Sequence, residues 1–198
     1  MNFFSFFCAL ILAIASGCTT IQPLGSSPPV STNDGLIQLV NYEFTGRIAV
    51  KQDEKGNYGN IRWMKRGTDT EITLFSPLGQ VVAHIHSQSE TVTLTVADQR
   101  KFYAENEEVL MRQVLGYSVP IKGLNYWLLG RPALSSPAEQ KFRPDGLVGG
   151  FQQDGWSIGY TDYMAVGGLE LPRHMVLNRD GLEIRLVIDQ WNLGTDAK

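Results

Sequence analysis

Phe44-Thr45-Gly46-Arg47-Ile48-Ala49-Val50-Lys51 is the stretch that decides the fold. Phe44, Gly46, Ile48 and Val50 fall on one side of a two-residue period. Thr45, Arg47, Ala49 and Lys51 fall on the other. Such alternation is that of a strand with one face toward a core. The same period continues downstream. Gly56-Asn57 is expected to turn the chain, and Tyr58 to Lys65 returns as a strand. Gly67-Thr68-Asp69 turns it again before Glu71 to Phe75. Val81 to His86 and Thr91 to Val96 follow. Strands in succession with short polar turns predict an antiparallel meander.

A different period then interrupts. Asn106 can cap a helix that carries Glu107 and Glu108 in its first turn, where the helix dipole favours them. Leu110, Met111, Val114 and Leu115 give it an apolar stripe, and Gly116 ends it. Residues 121–129 predict a second helix, with Leu124, Trp127 and Leu128 on one side and Gly130 and Pro132 as stops. Strands resume beyond the loop. Phe151 to Asp154 and Trp156 to Thr161 meet at Asp154-Gly155, a hairpin signal. Met175 to Asn178 and Leu182 to Trp191 flank Arg179-Asp180-Gly181. In the last strand Leu182, Ile184, Leu186 and Ile188 alternate with Glu183, Arg185, Val187 and Asp189. The fold class is therefore mainly β, of the α+β kind. Its sheet either curls into a barrel or packs under the two helices. A further short helix is expected near residues 32–40, capped by Thr32 or Asn33, with Leu36, Leu39 and Val40 on one face.

The N-terminus is of another kind. Phe3 to Ile14 are almost all apolar, Ala15-Ser16-Gly17 are small, and Cys18 is followed by polar Thr19, Thr20 and Gln22. Residues 1–17 read as a secretory signal, too short for a spanning helix. A Cys directly after small residues resembles a bacterial lipobox, although Ala15 stands where that pattern has Leu and no Lys or Arg precedes it. The resemblance implies cleavage before Cys18, with an S-diacylglycerol thioether and an N-palmitoyl group on that cysteine. Residues 18–31, with Ser26-Ser27-Pro28-Pro29, read as an acylated tether. Residues 32–198 form one domain. Removal of residues 1–17 from 198 leaves 181, enough for a real core. Cys8 leaves with the signal, so no thiol pair remains and stability must come from packing.

All 17 Lys and Arg and all 20 Asp and Glu lie beyond residue 17, for a formal charge of −3. Without a basic stripe, nucleic acid is excluded as a partner, and charge alone does not hold the chain on an anionic membrane. No catalytic motif is found. There is no G-x-S-x-G, and the glycines of Gly146 to Gly150 lack the Lys-Ser/Thr of a phosphate loop. His84 and His86 share one face of a strand, but no third ligand completes a metal site; they read as a pair on the polar side, with Val81, Ala83 and Ile85 opposite. No cofactor is expected. Trp63, Trp127, Trp156 and Trp191, with Leu110, Val114, Leu124 and Leu128, either fill a core or line a cavity and its lid. Leu78, in Ser76-Pro77-Leu78-Gly79, is expected at an exposed loop tip where it could enter a bilayer.

Several segments together resemble the LolB family of outer-membrane lipoproteins. They are Phe44 to Val50, Asn60-Ile61-Arg62-Trp63, Ser76 to Gln80, Leu124 to Pro132, Phe151 to Trp156, Leu171-Pro172 and Ile184 to Trp191. The resemblance implies an incomplete antiparallel β-barrel with a helical lid over a hydrophobic cavity. The implied partners are the acyl chains of client lipoproteins, the periplasmic carrier LolA and outer-membrane lipid. It implies a monomeric, non-enzymatic acceptor, lipid-anchored in the outer membrane and facing the periplasm, with Pro77, Leu78 and Gly79 as the membrane-insertion loop. Thr19 lacks the Asp that resembles an inner-membrane retention signal. Two other readings stay open: a soluble carrier of the LolA type, and a structural envelope lipoprotein with a solid core.

Overall fold

The computed structural model describes residues 39–88, 91–115 and 118–194. In chain order the strands are β1 (Asn41–Gln52), β2 (Lys55–Arg66), β3 (Asp69–Phe75), β4 (Val81–Gln88), β5 (Thr91–Val96) and β6 (Lys101–Ala104). Two helices follow, α1 (Glu107–Leu115) and α2 (Ile121–Trp127). The chain then forms β7 (Glu139–Phe142), β8 (Val148–Gln153), β9 (Trp156–Val166), β10 (Leu169–Arg179) and β11 (Leu182–Leu193).

All strands belong to one antiparallel sheet, ordered β6-β5-β4-β3-β2-β1-β11-β10-β9-β8-β7. The chain starts at the centre, steps outward to the β6 edge, crosses by way of the helices to the β7 edge and steps back to the centre. No ladder joins β6 to β7 among the described residues, so the barrel is incomplete. One face is mainly apolar, with Thr70, Ser87 and Gln153 as buried polar exceptions. Phe44, Trp63, Ile72, Ile85, Leu94, Phe151, Ile158, Met175 and Ile184 are all buried, and they form one cluster with Leu110, Leu124 and Trp127 of the helices. That common cluster places the helices on the concave face.

The seam between β1 and β11 holds the sheet together. Gly46 opposes Ile188 while Thr45 opposes Gln190, so Asp189 is an extra residue in β11. This bulge carries the inward period from Ile188 to Trp191, where strict alternation would have turned Gln190 inward. Gly46 is required by close approach, since a Cβ there would lie 2.3 Å from the Val187 carbonyl oxygen. A second bulge lets β10 run through Pro172. Proline cannot donate to a ladder, and a bulge is where a strand tolerates it.

The strands expected from the sequence are present, with corrections. The β1–β2 turn falls at residues 53–54, while Gly56 and Asn57 pair with Lys51 and Val50 inside the ladder. Asp53 takes a φ of 54°, and its N–H donates to the Gly181 carbonyl at 3.2 Å. Asp tolerates that left-handed geometry, and Gly-Asn is the reverse of the favoured Asn-Gly order. Short β6 and β7 were not expected, and β8, β9 and β10 are longer than their alternation suggested. Val148, Gly149 and Gly150 of the glycine-rich stretch belong to β8. Val81 is exposed at the start of β4, against the expectation that it shares the face of Ala83 and Ile85. Of the short helix near residues 32–40, residues 32–38 lie outside the described residues. Leu39 and Val40 are not helical and do not share a face, being 7 % and 54 % exposed.

Gly46→Ala should destabilise the domain by about 2 kcal/mol, since the added methyl must push two central strands apart. Urea unfolding checks this. An unchanged midpoint would show that the β1–β11 seam has slack.

Candidate functional site

The described lid residues are 107–115 and 118–136. In α1 the side chain of Asn106 accepts the Val109 N–H at 2.9 Å, the cap that the sequence predicted. Leu110 and Met111 are buried beneath it. Ile121, Leu124 and Trp127 recur at three-residue spacing and form the buried side of α2. Its ladder closes with Leu128 N–H donating to the Leu124 carbonyl at 2.9 Å. Gly130 then takes a φ of 74° and stops it, so the helix ends at Trp127 and Leu128-Leu129 lie in the turn.

Two amide side chains fasten this lid, Gln153 reaching it from the sheet and Asn125 reaching from it to the sheet. Gln153 of β8 is shut away from water. Its Oε1 accepts the Trp127 indole N–H at 2.7 Å and the Ala133 N–H at 2.8 Å. Its Nε2 donates to the carbonyls of Ala133 and Ser136, both at 2.8 Å. On the other side Asn125 of α2 reaches β1, β2 and β3. Its Oδ1 accepts the Trp63 indole N–H at 3.2 Å, and its Nδ2 donates to Thr70 Oγ1 at 3.2 Å. The Tyr42 hydroxyl donates to the Asn125 carbonyl at 2.9 Å, and the Tyr160 hydroxyl to the Trp127 carbonyl at 2.6 Å. The Ser87 hydroxyl donates to the buried carboxylate of Glu107, tying α1 to β4. Burial pushes the hydroxyls of Tyr42 and Tyr160 well above the usual tyrosine range.

Beside α2 a cleft of about 450 Å³ opens between the lid, the start of β1 and the β2–β3 turn. Leu39, Tyr42 and Leu134 give it apolar walls, while Lys65, Glu107 and Arg131 bring charge into it. The sequence-predicted residues Trp63, Leu110, Leu124, Trp127, Leu128, Trp156 and Trp191 are all buried in one cluster, with Val114 half-buried against it. The structure brings these eight together where lid and sheet meet, and none of them lines the cleft.

Leu78 stands elsewhere, 89 % exposed. Ser76 to Gly79 form a β-turn in which Gly79 N–H donates to the Ser76 carbonyl at 2.9 Å and Gly79 takes a φ of 84°. Pro77 and Gly79 thus set the turn and hold Leu78 at its tip. Tyr58 and Val81 are exposed nearby on the flanking strands. Thr70 lines the cleft and Ser76 begins the loop; at about 3.3 Å per residue β3 separates them by roughly 20 Å. Cys18 lies outside the described residues.

A model of the family described as outer membrane lipoprotein LolB matches residues 40–191. This chain belongs to the LolB family. An outer-membrane lipoprotein LolB from Nitrosococcus oceani is 33% identical over 92% of this chain and 94% of its own length. One from Thiobacillus denitrificans is 36% identical over 92% and 96%. Among solved structures, a DUF1329 family protein from Desulfovibrio piger is similar with a TM-score of 0.59 at 11% identity, covering 82% of this chain and 89% of that one. This last likeness concerns the fold alone. The LolB-family assignment makes the chain an outer-membrane lipoprotein concerned with lipoprotein localisation.

The sequence reading missed the polar half of this LolB-family site. Gln153 shares the inward period of Phe151, so a polar residue on an apolar face was the available signal. Asn125 carried none, because it lies between Leu124 and Trp127 on a short helix.

Gln153→Leu would strand four buried backbone and indole groups, and should cost about 3 kcal/mol with loss of lid order. Urea unfolding and tryptophan fluorescence would register both, and wild-type stability would remove Gln153 from the latch. The tyrosines predict a second effect. Their folded-state pKa values are raised, so their contribution is complete below about pH 10, where an unfolded tyrosine starts to lose its proton. Stability should fall as pH rises from there. Equal urea midpoints at pH 9 and pH 11 would contradict this.

Proposed function

We propose that this protein accepts client lipoproteins from a LolA-type periplasmic carrier and inserts them into the outer membrane. The observation that carries the reading is the latched lid. An apolar concave sheet is covered by two short helices fastened through side chains, so the cover can lift without breaking a strand ladder. Acyl chains enter the space between lid and sheet, where Trp63, Trp127, Trp156 and Trp191 with Leu110, Val114, Leu124 and Leu128 meet the hydrocarbon.

Energetics explain the need for shelter. A triacylated cysteine exposes on the order of 40 methylenes, each worth about 0.8 kcal/mol, or roughly 30 kcal/mol against release into water. Handover without nucleotide requires that the acceptor bind better than the donor, and the bilayer better still. The role is binding and transfer, not catalysis. Cys18, acylated and followed by the tether of residues 18–31, holds the domain on the periplasmic side of the outer membrane, working as a monomer. Leu78 enters the bilayer from its rigid turn, with Pro77 and Gly79 keeping the tip out of the domain.

Purified domain, loaded carrier and liposomes test the proposal. Leu78→Glu should take up lipoprotein as wild type does but deliver it to liposomes at least about tenfold more slowly, given the cost of placing a charge in hydrocarbon. Equal delivery would remove Leu78 from the mechanism, and failure of the wild type to take up lipoprotein would overturn the reading. Mass spectrometry of the mature N-terminus should find acylated Cys18; an unmodified N-terminus would favour a free carrier.

A further inference from the structure

The cleft beside α2 holds a cation with no counterion among the described residues. Arg131 follows the helix-stopping Gly130 and is half-buried. Its guanidinium carbon stands 5.2 Å from the centre of the Tyr126 ring. Its Nε is shut off from solvent and has no hydrogen-bond partner, and no carboxylate pairs with it among the described residues. Burial draws its pKa down, with Tyr126 and Tyr42 partly opposing. Buried charges are ordinarily paired, because an unpaired one has lost its water with nothing in return. The stacked ring offsets part of that loss and leaves the edge of the guanidinium free to donate.

Lys65 lines the same cleft. It donates to the Gly67 carbonyl of its own turn and pairs with no carboxylate among the described residues. Opposite in charge is Glu107, buried in the cleft wall and held by Ser87. Lys122 stands at the exposed rim. The cleft therefore sets the cations Arg131 and Lys65, with Lys122 at the rim, against the carboxylate of Glu107, between walls of Leu39, Tyr42 and Leu134.

We propose that this cleft is the head-group subsite of the acyl ligand, in which Arg131 and Lys65 donate hydrogen bonds to ester and amide carbonyls while Glu107 accepts from an amide N–H. The ligand class is an N-acylated, S-diacylglycerol peptide terminus. That group carries carbonyl oxygens beside its hydrocarbon and an amide N–H where the peptide begins. A phospholipid phosphate would satisfy the two cations but would set its charge against Glu107. The subsite rests on the transfer function proposed above and adds recognition of the peptide end to it.

Binding of a synthetic triacylated lipopeptide, of phosphatidylglycerol and of a purely hydrocarbon fluorescent probe separates the possibilities. Arg131→Gln should weaken lipopeptide binding about tenfold, since a charge-assisted hydrogen bond is lost, and leave the hydrocarbon probe unchanged. Arg131→Lys should stay within about threefold of wild type. Lys65→Met should weaken the lipopeptide too, and it carries the test should Arg131→Gln fail to fold. Equal lipopeptide binding by the Gln and Met variants would overturn the subsite. So would an equal loss for the hydrocarbon probe, which would make Arg131 a structural residue, or a loss confined to phosphatidylglycerol. If wild-type protein binds no lipopeptide, the transfer function itself has failed.

Discussion

An open antiparallel sheet with one apolar face must have that face covered. Here the cover is small, a nine-residue helix and a seven-residue helix with their loops. Two such helices cannot be stable on their own. They exist because Leu110, Leu124 and Trp127 sink into the sheet, because Gln153 holds the backbone after α2, and because Asn125 is bonded to Trp63 and Thr70 of the sheet. Hydrogen bonds of this kind are strong where water is excluded and leave costly orphans when broken. The lid is thus fixed by a few groups at definite places, not by a continuous ladder.

The topology gives that arrangement a mechanical meaning. The chain's two strand runs meet at the β1–β11 seam, which its bulge and the close approach of Gly46 make intolerant of change. Their far edges, β6 and β7, are connected through the lid segment and not to each other among the described residues. Lifting the lid would break the Tyr42–Asn125 hydrogen bond on β1 but no rung of the seam ladder. The proposed uptake and release of acyl chains calls for this division between a laddered half and a half held by side chains.

Much of this was legible in the sequence. The two-residue period of Phe44 to Val50 and of Leu182 to Ile188 predicts the central pair, and Asn106 marks the start of α1. The short edge strands were not legible. Lys101–Ala104 and Glu139–Phe142 have four residues each, too few for a period, and Glu139–Phe142 is exposed along its whole length. The length of β10 was hidden by Pro172, which reads as a break unless a bulge absorbs it. The tryptophans were found as a set. Their fastening was not, because Gln153 and Asn125 act through contacts between residues far apart in the chain. Arg131 escaped notice for the same reason. Between Gly130 and Pro132 it reads as part of a stop signal, and only the fold shows the company it keeps.

Hydrogen exchange on the domain, with and without a synthetic triacylated lipopeptide, tests the central claim most directly. Lipopeptide should bind saturably and deprotect residues 121–136 while the amides of β1 and β11 stay protected. Binding with the α2 segment as protected as before, or protection lost across the seam as well, would contradict a latched lid over a fixed sheet.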